Sequence, residues 1–80
     1  MQIKVTEYIK PIEDELGLKV TNIYEIKSGY LFMLSPKSGE PNAMIGTSFP
    51  LINKYSGKAK MVSLYDIVDE YMLRKEVWHA

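Results

Sequence analysis

The sequence has no cysteine, a single histidine, no net charge and no long apolar run, and each shortage removes a class of proteins. Without cysteine there is neither a disulfide framework nor a thiolate metal site. Small secreted scaffolds usually need such staples, so a cytoplasmic protein is expected. The ten Lys+Arg residues balance ten Asp+Glu, so the basic excess of a phosphate-tracking surface is missing. That argues against nucleic acid as the partner and leaves only a local basic patch. The longest apolar stretch, Tyr30 to Leu34, is five residues, and the opening Met-Gln-Ile-Lys-Val-Thr-Glu has no apolar leader. No membrane span or anchor is expected. Eighty residues also fall short of the roughly 200 that a barrel or doubly wound enzyme needs.

What is present is an ordinary folded composition, 46% hydrophobic and 25% charged, with no repeat or linker to divide it, so residues 1–80 read as one domain. Val5, Tyr8, Ile9, Ile12 and Leu16 recur at helical spacing, with Glu7, Glu13, Asp14 and Glu15 outside the stripe and Gly17 as the stop. Pro11 lies within this pattern. Either the helix kinks there, the reading favoured by a stripe that passes the proline in phase, or it begins at Pro11 as its first residue.

From Leu18 to Lys27 the residues become β-type, and Ser28-Gly29 reads as a two-residue turn before Tyr30–Leu34. The second arm is apolar at every position, which places it centrally in the sheet with both faces covered. Ser35–Asn42, with two prolines and a glycine, reads as a surface loop. Ala43–Asn53 reads as a strand interrupted by Gly46 and Pro50, and Tyr55–Lys58 as the turn of a second hairpin leading to Ala59–Val62. Ser63 and Asp66 form a capping pattern ahead of a closing helix with Leu64, Ile67, Val68, Tyr71 and Met72 inside and Asp69, Glu70, Arg74 and Lys75 outside. Trp78-His79-Ala80 is left as a short tail. The sum is an α+β domain: an antiparallel sheet of three to four strands packed by an N-terminal and a C-terminal helix, the helices on one face.

Reactive chemistry finds little support. His79 sits next to the C-terminus, where nothing orients it as a base or a ligand. Glu13, Asp14 and Glu15 are consecutive, so on a helix they diverge by about 100° and read as a solvated end. No phosphate-cradling glycine motif or nucleophile elbow occurs; Gly39, Gly46 and Gly57 are scattered. No catalytic residue, metal or cofactor is expected. Asp66, Asp69 and Glu70 lie on one side of the last helix, as an ordinary exposed face or as a negative ridge for a basic partner. Lys54, Lys58 and Lys60 surround the turn carrying Tyr55, as edge protection or as a small basic patch. Tyr8, Tyr24, Tyr30, Tyr65 and Tyr71 read as core residues with hydroxyls at the surface, and Trp78 as either folded back on the domain or free as an anchor.

Gly29-Tyr30-Leu31-Phe32, the run Ala43–Ile52 with its Gly46 and Pro50, then Lys54-Tyr55-Ser56-Gly57-Lys58 and the helix bearing Tyr71 together resemble the immunity protein 35, or YrhB-like, family over about fifty residues. Gly29, Gly46, Pro50 and Gly57 are the fold-determining positions of that pattern. Gly46 lets the backbone approach or bulge, Pro50 fixes the start of the strand, and Gly57 permits a positive φ. The resemblance implies a bacterial immunity protein that neutralises a cognate polymorphic toxin by direct binding, as a monomer or homodimer. On that expectation Tyr55 and Trp78 are the interface anchors and Lys54, Lys58, Asp69 and Glu70 the steering charges. The competing readings are a small nucleic-acid-binding or regulatory module and a chaperone-like stability factor.

Overall fold

The computed structural model describes residues 4–35 and 48–80. Gly46 and nearly all of the expected surface loop fall outside the described residues. The elements run α1 (Ile9–Leu16), β1 (Lys19–Ile26), β2 (Gly29–Ser35), β3 (Ser48–Asn53), β4 (Ala59–Ser63), α2 (Val68–Met72) and β5 (Lys75–His79), with a 3-10 turn, Val5–Tyr8, ahead of α1. They form the expected α+β fold, an antiparallel sheet with an N-terminal and a short C-terminal helix, but the sheet has five strands in the order β4-β3-β2-β1-β5.

Pro11 neither kinks the helix nor opens it. The chain changes helix type instead: the residues before Ile9 wind as the tighter 3-10 form, and Pro11 becomes the third residue of α1. The first N–H groups of an α-helix have no intrahelical acceptor, so the donor that proline lacks is not missed there. Gly17 ends the helix in the left-handed region at φ 67, its N–H donating to the Glu13 carbonyl at 2.9 Å.

Three further expectations need correction. The two-residue turn between β1 and β2 is Lys27-Ser28, and Gly29 already belongs to β2, paired with Ile26 on one side and Asn53 on the other. A side chain at position 29 would place Cβ 2.2 Å from the Ile52 carbonyl oxygen. Glycine is therefore required for close approach of two strands, not for turn conformation. The Ser63 hydroxyl caps a turn rather than the helix: it accepts from the Tyr65 N–H at 3.2 Å, and α2 starts only at Val68. The expected tail is strand β5, antiparallel to β1, with Asn22 opposite His79 and Ile23 opposite Trp78. Val77 and Trp78 favour a strand while Lys75 and Glu76 do not, and the open edge of β1 supplies the partner that decides it. Trp78 is half-buried and folds back against the core.

β2 occupies the centre, and Leu31 and Phe32, successive residues on opposite faces, are both wholly buried. Both faces of the sheet are therefore covered. Tyr24, directly opposite Leu31, meets the Tyr71 ring edge-on at 6.3 Å, which puts α2 on the Leu31 face. Ile23, Phe32 and Ile52 share the other face, and the 3-10 turn and α1 cover it with Val5, Tyr8, Ile9 and Ile12. The helices thus lie on opposite faces rather than one. Pro50 neither interrupts the strand nor opens it, being the third residue of the unbroken β3; β2 and β3 pair from Gly29–Asn53 to Leu31–Leu51, stopping one residue short of Pro50, whose missing N–H costs this ladder nothing.

Gly29→Ala is expected to lower unfolding free energy by about 3 kcal/mol or more, because a carbonyl of the neighbouring strand cannot yield as a flexible side chain can. Gly17→Ala meets no atom within 4 Å and carries only the positive-φ strain, about 1 kcal/mol. Urea melts of the two variants check the ranking. In the same assay Phe32→Ala should cost about 3–5 kcal/mol.

Candidate protein-binding surface

The β3–β4 connection is organised by one side chain. Asn53 Oδ1 accepts from the Tyr55 N–H at 2.8 Å and the Ser56 N–H at 2.9 Å, while its main-chain carbonyl accepts from Gly57 at 3.0 Å. Asparagine at this position turns the chain because its amide imitates a backbone carbonyl. Gly57 takes φ 72, as expected for a turn glycine, and the Tyr8 hydroxyl of the 3-10 turn packs beside it. The result projects Tyr55 into solvent, 92% exposed.

Four of the six sequence-derived candidates fall into two neighbouring groups. Tyr55 and Lys58, with Lys60, line a concavity of about 430 Å³ whose opposite wall is Lys27 of the β1–β2 turn and whose floor includes the buried Leu51. Asp69 and Glu70 line an adjoining concavity of about 270 Å³ with Leu73, and Lys27 borders this one too. The second hairpin and the last helix, far apart in sequence, therefore meet across Lys27 at one end of the sheet. Lys54 stands apart from them: its Nζ lies 3.1 Å from Glu25, a partly exposed ion pair worth about 0–1 kcal/mol that removes most of its value as a free steering charge. Trp78 is on β5, the edge strand opposite β4, and does not join Tyr55.

The acidic ridge expected along the last helix is interrupted. Asp66 lies in the turn before α2, and Glu70 Oε1 is turned inward to accept from both the N–H and the hydroxyl of Ser28, each at 2.7 Å. This contact fastens α2 to the β1–β2 turn. Glu13 does similar work at the other end, accepting from the Val20 N–H at 2.9 Å, so only Asp14 and Glu15 match the solvated helix end. Arg74 lies over both the Tyr24 and Tyr71 rings, at 5.0 and 4.3 Å, and covers that aromatic pair from solvent. Tyr8, Tyr30 and Tyr71 are half-buried against the core as expected. Tyr65 is not.

Sequence reasoning missed the apolar surface of the last segment. Tyr65, Val68, Met72 and Leu73 are 79, 50, 74 and 85% exposed, although Val68 and Met72 carried the expected inward stripe. A five-residue helix presents little more than one face to the sheet, and Tyr71, with Ile67 just before the helix, takes it. The available signal was Met72-Leu73, two adjacent large apolar residues that a single inward stripe cannot both hold.

Among the described residues no three His, Asp or Glu side chains gather as a metal would require, and no helix is long and apolar enough to cross a membrane. No family model, curated protein or solved structure matches this chain, so the likeness to the immunity family rests on the quoted residues alone.

Glu70→Ala should cost about 1 kcal/mol of stability and increase hydrogen exchange at the Ser28 amide, with exchange in β2 and β3 unchanged. Amide exchange followed by NMR distinguishes this local release from general loosening.

Proposed function

We propose that this chain is a non-catalytic protein-binding domain of the immunity type, cytoplasmic in location, that neutralises a bacterial toxin by seating on it and blocking its working surface. The observation that carries this reading is the set of four exposed large apolar side chains within residues 65–73, beside charges of both signs. Water-exposed apolar groups of that density on a small domain mark a surface that another macromolecule covers. A standard interface takes about 800 Å² from each partner, roughly one seventh of this chain's 5605 Å². Binding of this kind draws on shape, apolar burial and charge, which is what this surface has to offer.

The exposed positions make a clean test because their side chains contribute little to the core. Cells producing the toxin encoded by the adjacent reading frame should be rescued by this protein. Met72→Asp together with Leu73→Asp should abolish rescue while leaving thermal unfolding within a few degrees of the parent, and Tyr55→Ala should weaken it. Trp78→Ala is unsuitable, since Trp78 packs on the core. Rescue undiminished by the double aspartate variant would remove residues 65–73 from the interface, and absence of rescue by the parent protein would reject the immunity reading.

A further inference from the structure

We infer that the lysine-lined concavity between the β1–β2 and β3–β4 turns receives an acidic segment of the protein partner, whose neighbouring apolar residue rests on Leu73. The inference rests on the protein-binding reading and specifies what that partner must present. Lys27, Lys58 and Lys60 border the cavity, and among the described residues no carboxylate lines it and none of the three lysines makes an ion pair.

Ser28 spends its N–H and hydroxyl proton on Glu70, but Asn53 and Ser56 are left as donors. Asn53 Oδ1 is occupied by two main-chain N–H groups, leaving its amide NH₂ to donate. The Ser56 hydroxyl oxygen already accepts from the Lys58 N–H at 3.3 Å, leaving its proton. A wall of ammonium, amide and hydroxyl donors over an apolar floor at Leu51 fits carboxylates carried on an apolar stem, as glutamate side chains are.

Lys27 then sets the register. It is shared with the second concavity, where Leu73 is 85% exposed and Asp69 and Glu70 bring negative charge. Across this end of the molecule lysines, acids and an exposed leucine therefore lie side by side, and the complementary segment carries acidic, basic and apolar groups. The zero net charge of the chain weighs against the other polyanion, nucleic acid, since three lysines in one cavity with acids beside them do not make a phosphate track.

NMR titration of the isotope-labelled full chain with hexaglutamate, hexalysine and oligothymidylate separates the possibilities. Hexaglutamate should shift amides at Lys27 and across 53–60, hexalysine those of 69–73. Lys58→Glu with Lys60→Glu should weaken hexaglutamate binding on the order of tenfold while the spectrum stays folded and the hexalysine response persists. Hexaglutamate shifts that are absent or lie elsewhere would overturn the inference, as would oligothymidylate binding the same residues more tightly. Because the readout needs no toxin, failure here is distinct from failure of growth rescue: hexaglutamate docking without rescue rejects the immunity reading and leaves the acidic-segment site standing.

Discussion

The structure depends on burying one strand completely. β2 carries apolar side chains on both of its faces, and in a domain this small neither face can be left wet. A central strand needs a strand on each side and a cover above and below. β1 and β3 supply the first, and the two helical segments, divided between the faces, supply the second. Much of the rest follows from fitting those covers onto a chain with little length to spare. The N-terminal segment changes from 3-10 to α so that Pro11 falls where no donor is needed, Glu13 ties α1 to β1, Glu70 ties α2 to the β1–β2 turn, and Gly29 lets β2 and β3 come close enough for Leu31 to pair with Leu51.

The cover on the second face is also where the molecule becomes available to others. α2 is only five residues long, so with Ile67 before it turned inward it can add Tyr71 but leaves Val68 and Met72 outward. Its anchoring to Ser28 holds this apolar face beside the β1–β2 turn, and the β3–β4 hairpin brings its lysines to the other side of the same turn. A surface with a stable scaffold beneath it, carrying apolar and charged groups side by side, loses little entropy on binding. This surface lies at the turn end of the sheet rather than along the β5 edge.

Much of the fold was legible in the sequence where local and tertiary preferences agree. The uninterrupted run Tyr30–Leu34 announced a central strand, the Tyr55–Lys58 turn announced a hairpin, and Gly17 announced a helix end. The misplaced features each depend on something distant. β5 is a strand because β1 has an open edge, Gly29 is glycine because Ile52 lies across from it, and the helices divide between faces because both sides of β2 are apolar. The candidate surface was legible by residue type, with Tyr55, Lys58, Asp69 and Glu70 brought to neighbouring concavities. Its grouping was not, since Lys27 had no local mark of importance and Trp78 was needed by the core.

Hydrogen–deuterium exchange of this protein, alone and mixed with the product of the adjacent reading frame, tests the central claim most directly. The account predicts slowed exchange in residues 53–60 and 65–73, with β5 and α1 unaffected. Protection confined to the β5 edge or to α1, with the turns and α2 exchanging as they do in the free protein, would contradict it.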